Sequence, residues 1–106
     1  MIKTGIDIIQ VNRISLEDNF VKKILHVEEI ELFNSKVDDG EKQRFLAGRW
    51  AAKESIFKAY KHSIGYNKIN IQLINDNLVV KSDLKINISI SISHEKDYAV
   101  AMALVE

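Results

Sequence analysis

A change of period at Gly65 constrains the fold of this chain more than any other feature. Before it, from Glu41 to Lys61, Phe45, Leu46, Trp50, Ile56, Phe57 and Tyr60 recur at helical spacing among the small residues Ala47, Gly48, Ala51, Ala52 and Ala59. After it the apolar residues alternate: "INIQLI" (69–74), "LVV" (78–80) beyond an "NDN" turn, "INISISIS" (86–93), and "YAVAMALV" (98–105) beyond a "HEKD" turn. Alternation places one face of a strand on a core and the other in water. The expectation is one long helix followed by an antiparallel meander.

The N-terminal half adds three elements. Residues 2–11 alternate as a strand, with Ile2, Thr4, Ile6 and Ile8 on one face and Lys3, Gly5, Asp7, Ile9 and Val11 on the other. "SLED" (15–18) has the form of a capping box with Ser15 as cap, leading into a helix through Phe20, Val21 and Ile24. A second helix is expected over 27–35, with Ile30 and Phe33 on its buried side, and "SKVDDGEK" (35–42) reads as a polar loop. The class is therefore α+β: one domain over 1–106, an antiparallel sheet packed against a long helix.

At 106 residues such a domain buries only about two-thirds of its unfolded surface, so association with other copies would hide further apolar area. No cysteine is present, which excludes disulfides and cysteine-ligated zinc. "MIKTGIDIIQVNR" lacks the basic start and long apolar run of a signal peptide, and no run approaches the roughly 20 residues of a membrane span. A cytoplasmic location, with no membrane partner, is the expectation.

Net charge is zero, from 15 basic and 15 acidic residues, but its distribution is uneven. Lys42, Arg44, Arg49, Lys53, Lys58 and Lys61 face a single acid, Glu54, so 42–61 carries +5 and the remainder −5. That asymmetry fits an anionic ligand; a solvated helix face fits equally well. Neither GxGxxG nor GxxxxGK[ST] occurs, so a phosphate site would need side chains, helix ends or a metal.

Asp7 and Glu54 are the candidate metal ligands. Two carboxylates completed by phosphate oxygens and water is the usual arrangement for Mg²⁺. Asp7 interrupts an apolar strand, which is costly unless the carboxylate is paired, hydrated or metal-bound. Trp50, Glu54 and Lys58 share one helical stripe, so Lys58 is placed to reach the same phosphate. The plainer reading of Glu54 is an i, i+4 pair with Lys58, worth about 0.3–0.5 kcal/mol. His94 ends the serine-rich strand and is a candidate for phosphate contact or proton transfer, or simply a hydrogen-bonded turn residue. Ser91 and Ser93 are phosphate donors or the polar face of a strand; no GxSxG pattern supports a serine nucleophile.

"GIDIIQVNRI", "RFLAGRWAAKESIFKAY" and "SISHEKDYAVA" occur in an order and at spacings that resemble the holo-acyl-carrier-protein synthases, the small 4′-phosphopantetheinyl transferases. "ILHVEEIELFNS" resembles the family's second helix, so the likeness spans nearly the whole chain. It implies the 4′-phosphopantetheinyl transferase-like fold and the transfer of 4′-phosphopantetheine from coenzyme A to a serine of apo-acyl carrier protein, releasing adenosine 3′,5′-bisphosphate, in fatty acid biosynthesis. It implies that Asp7 and Glu54 hold Mg²⁺ against the pyrophosphate and that Lys58 stabilises the leaving group. Arg49, Lys53 and His94 would serve the other phosphates, and Glu54 or a metal-adjacent water would take the serine proton. It further implies a homotrimer with sites between subunits, and carrier docking on Arg13, Phe20, Val21, Lys22 and Lys23. The chain departs from the family in lacking a Gly-x-Pro turn before "SISH" and in having "KHSIGY" after the helix. Two other readings compete: a module that binds an anionic partner such as RNA through the basic helix, and a Mg²⁺-dependent phosphohydrolase.

Overall fold

The computed structural model describes residues 1–106, and its axis is a 21-residue helix. The chain runs β1 (Lys3–Gln10), α1 (Asp18–Ile24), α2 (Val27–Asn34), α3 (Asp39–Ala59), β2 (Asn70–Ile74), β3 (Asn77–Lys81), β4 (Ile88–His94) and β5 (Tyr98–Val105). Short 3₁₀ turns cover Val11–Arg13 and Tyr66–Lys68. Helix α3 begins earlier than the loop-like "SKVDDGEK" implies. Asp38 caps it, its Oδ1 accepting from Glu41 N at 2.8 Å, so Gly40 lies inside the first turn.

β1, β5 and β4 form an antiparallel sheet in the order β1-β5-β4, and β2 and β3 form a separate hairpin. The continuous meander expected after Gly65 is therefore broken between β3 and β4, and the first strand closes on the last. The β2–β3 turn uses Asn75 and Asp76, both left-handed (φ 50° and 65°), a conformation these two residue types tolerate.

The sheet meets α3 through small side chains. β5 turns Ala99, Ala101, Ala103 and Val105 inward, and α3 answers with Ala47, Gly48, Ala51, Ala52, Ser55 and Ala59. At Gly5 a Cβ would lie 1.9 Å from the carbonyl oxygen of Ser55, so only glycine lets β1 rest directly on the helix backbone. At Gly48 a Cβ would come within 3.2 Å of Ile92 and 3.3 Å of the His94 ring. Larger side chains fill the flanks: Val11, Ile14, Val21, Ile24, Leu25, Phe33 and Leu46 on one side, Ile56, Ile69 and Ile71 on the other.

Two local readings change. Ser15 Oγ accepts from Glu17 N at 3.1 Å, so "SLED" is a turn, and Glu17 holds the N-cap position of α1 without a side-chain capping bond. The capping box stands at α2, where His26 Nδ1 accepts from Glu28 N at 3.1 Å and Glu29 Oε1 accepts from His26 N at 2.9 Å.

Candidate active site

β1 carries Asp7 two residues beyond Gly5 on the same inward face, so the close seating of Gly5 delivers the carboxylate to α3. Lys58, one turn beyond Glu54, spans the gap. Its Nζ donates to Asp7 Oδ1 and to the carbonyl oxygen of Ile6, both at 3.0 Å. The i, i+4 pair between Glu54 and Lys58 is thus replaced by a strand-to-helix ion pair. Glu54 is held elsewhere: its Oε2 accepts from the phenol of Tyr66 at 3.1 Å. Burial raises the Tyr66 pKa above its ordinary value, and the charges of Glu54 and Asp7 raise it further. Both carboxylates, 47 positions apart in the chain, therefore contribute to the electrostatics of one phenol, and Glu54 alone bonds it.

This region fits a hard divalent cation. The Asp7 side chain is 14 % exposed, and its Oδ2 is buried without any hydrogen-bond partner. An orphaned buried carboxylate oxygen is costly unless something positive reaches it. The donors are oxygens, as Mg²⁺ requires, and no group of three or more His, Cys, Asp or Glu residues gathers anywhere. Two carboxylates alone leave the remaining coordination to phosphate oxygens and water.

Further toward the N-terminus of α3 lies a cleft of about 490 Å³, lined on its basic side by Lys36, Arg44, Arg49 and His94 and on its apolar side by Phe45 and Leu73. His94 shares the inward face of β4 with Ile88, Ile90 and Ile92, and Gly48 leaves room for its ring. Burial lowers the His94 pKa, and the neighbouring Arg44 and Arg49 lower it further. The Arg49 guanidinium lies 4.6 Å over the Phe45 ring, and its Nε is 3.0 Å from Glu29 Oε2, an ion-pair contact without hydrogen-bond alignment. Arg49 to Glu54 is about 7.5 Å along the helix axis. Ser91 and Ser93 point the other way, on the exposed face of the edge strand.

Lys53 does not belong to this surface. It is fully buried, and its Nζ donates to Glu29 Oε1, to the carbonyl oxygen of Ile24 at 2.7 Å and to that of Tyr66 at 3.0 Å. It faces the interior between α1, α2 and the Tyr66 turn, out of reach of any phosphate. Burial drives its pKa down to about 8 against the opposing pull of Glu29. Glu29 also accepts from Ile71 N at 3.3 Å, so one buried carboxylate joins α2, α3 and β2.

The docking residues divide similarly. Val21 is buried in the core beside Ile24, so it cannot anchor a partner. Phe20 is half-buried, edge-on to Trp50 at 5.2 Å, and lines a cavity of about 390 Å³ with Lys23, Trp50 and Tyr66. Arg13, Lys22 and Lys23 are exposed, with Lys22 paired to Asp18 at 2.8 Å. Because Trp50 packs on Phe20 and Phe57 on His62, the helix offers no row of free aromatic faces for stacked bases. Sequence reasoning did not single out Tyr66, Glu29, Lys36 or Arg44 as site residues. Only Arg44 carried a signal, its place in the basic segment.

Residues 3–103 match the model of the 4′-phosphopantetheinyl transferase superfamily, and the chain belongs to that family. It is similar to the holo-[acyl-carrier-protein] synthases of Mycoplasma capricolum (51 % identity over 100 residues, 94 % of this chain and 90 % of the relative) and Geobacillus (38 % identity, 100 % and 97 %). Among solved structures, the holo-(acyl-carrier-protein) synthase of Bacillus anthracis in complex with CoA (3′,5′-ADP) superposes with a TM-score of 0.88 at 30 % identity. That match covers 98 % of this chain and 95 % of the other. The Helicobacter pylori synthase in complex with coenzyme A gives 0.80 at 26 % identity, covering 97 % and 99 %.

Proposed function

We propose that this chain transfers 4′-phosphopantetheine from coenzyme A to a serine hydroxyl of an apo-acyl carrier protein, leaving adenosine 3′,5′-bisphosphate. The observation that carries the proposal is the Lys58–Asp7 bond with Asp7 Oδ2 unpartnered, Glu54 standing one turn before Lys58 on α3, the helix that also lines the basic cleft. A Mg²⁺ ion held by Asp7 and Glu54 would supply charge neutralisation at the pyrophosphate. The protein's own part is positioning. Arg49 and His94 hold the 3′-phosphate end in the cleft, joined by Arg44. Lys58, half exposed, exchanges its Asp7 partner for the leaving phosphate and neutralises it. The serine proton goes to Glu54 or to water at its side. The acidic carrier approaches across Arg13, Lys22, Lys23 and Phe20.

The outer face of the sheet supports self-association, a homotrimer in this reading. Ile6 and Ile8 are 63 % and 62 % exposed and stand opposite Met102 and Val100 in register. A contiguous apolar sheet face of this kind marks an interface between copies. No helix is long and apolar enough to cross a membrane. We place the enzyme in the cytoplasm, in fatty acid biosynthesis.

The test is incubation with coenzyme A, Mg²⁺ and apo-carrier protein, followed by mass spectrometry of the carrier. One phosphopantetheine gained per carrier is expected. Release of phosphate with no gain, while a control synthase modifies the same carrier, identifies a phosphohydrolase instead.

A further inference from the structure

The Tyr66 phenol donates to Glu54 Oε2 at 3.1 Å, while the Tyr66 carbonyl oxygen accepts from Lys53 Nζ at 3.0 Å. Glu54 and Lys53 are adjacent on α3, so one helix grips both ends of one residue. The grip is rigid at its base. Lys53 is fully buried, bonded to Glu29 and to the carbonyl oxygen of Ile24, and the 3₁₀ turn is closed by Ile69 N donating to the same Tyr66 carbonyl at 3.1 Å. Tyr66 also forms part of the wall of the cavity shared by Phe20, Lys23 and Trp50, between the carrier-docking surface and Glu54.

We propose that Tyr66 is a positioning residue for the metal-binding carboxylate: its hydroxyl occupies Glu54 Oε2, so that Oε1 is turned to the ion, and Lys53 and Glu29 fix the turn that carries it. The inference rests on the assignment of Asp7 and Glu54 as the cation's ligands. A donor bound to one oxygen of a ligating carboxylate restricts its rotation and sets single-oxygen coordination, and loss of such an outer partner typically costs about 10–100-fold in metal affinity.

Tyr66→Phe removes the hydroxyl and keeps the ring. Mn²⁺ titration of the coenzyme A-bound protein by electron paramagnetic resonance reads the site without turnover. Tyr66→Phe should bind Mn²⁺ at least about 10-fold more weakly, with unchanged coenzyme A affinity in the absence of metal and a urea midpoint lowered only by the loss of one hydrogen bond. Its transfer rate should recover to near wild type at high Mg²⁺, the rise falling on the Mg²⁺ requirement and not on kcat. Unchanged Mn²⁺ affinity, or a rate defect that high Mg²⁺ does not relieve, overturns the proposal. Glu54→Gln and Asp7→Asn run beside it: wild-type Mn²⁺ binding in both would sink the metal assignment itself, whatever Tyr66→Phe does. Should Tyr66→Phe not fold, a Tyr60→Phe/Tyr98→Phe protein leaves Tyr66 as the one tyrosine. Mg²⁺ must then perturb its ultraviolet difference spectrum, and silence there counts against the proposal.

Discussion

Gly5→Ala perturbs the joint on which the site is built. The added Cβ would lie 1.9 Å from the Ser55 carbonyl oxygen, 2.8 Å from Ala59 N and 2.9 Å from the Ser55 carbonyl carbon. All three are backbone atoms of α3, so no side chain can swing aside. Restoring even a 3.0 Å separation requires β1 and α3 to part by about 1 Å. Overpacking of this kind costs about 1–3 kcal/mol, and a backbone-on-backbone clash belongs at the upper end. For a chain of this size about 3 kcal/mol lowers Tm by roughly 12–24 °C. The same displacement carries Asp7 away from Lys58 and Glu54, and a misplacement of about 1 Å in a reacting geometry costs roughly 100-fold. Calorimetry and the carrier mass assay, both at one protein concentration, read the two effects. An alanine variant that melts within about 2 °C of wild type and transfers normally would refute the seating of β1 on α3.

Asp7→Asn should lower transfer by more than about 100-fold, because loss of a proposed direct ligand outweighs loss of an outer partner, yet change stability by less than about 1 kcal/mol since Lys58 stays solvated; rate assays with urea melts check both. Lys53→Met should destabilise by about 1–3 kcal/mol in urea melts, because the buried Glu29 loses one of its two cations and keeps only Arg49. The depressed pKa of His94 means that the free enzyme holds it neutral at pH 7, and an arriving phosphate favours its protonation. Affinity for adenosine 3′,5′-bisphosphate should therefore rise as pH falls through the ordinary histidine range, and His94→Gln should flatten that rise in calorimetric titrations. The linkage to folding runs oppositely: the unfolded chain binds the His94 proton more readily, so this residue's contribution to stability is present above the ordinary histidine pKa and lost below it.

What the sequence revealed follows the range of the interactions. The alternation of β1 was legible because one face is buried and the other is not, and a carboxylate on the inward face marked Asp7 without further knowledge. α3 was legible from period and length. Local contacts also corrected it: Asp38 as cap moved its start, and histidine, an uncommon cap, concealed the box at α2. The errors lie with long-range partners. Lys53 looks like any other lysine on a basic helix until Glu29, 24 residues earlier, arrives beside it. Val21 and Phe20 are neighbours, and only the packing of α1 decides which is inside. Gly5 carried no hint of its contact with Ser55, and Tyr66, in a departure from the family pattern, carried none of its bond to Glu54.

A crystal grown with Mn²⁺ and coenzyme A tests the proposed sharing of one cation by Asp7 and Glu54 directly, by anomalous scattering. The predicted result is one peak per chain with an oxygen of Asp7 and an oxygen of Glu54 both at about 2.0–2.2 Å. A peak bound by only one of the two, or separate peaks for each, would contradict it.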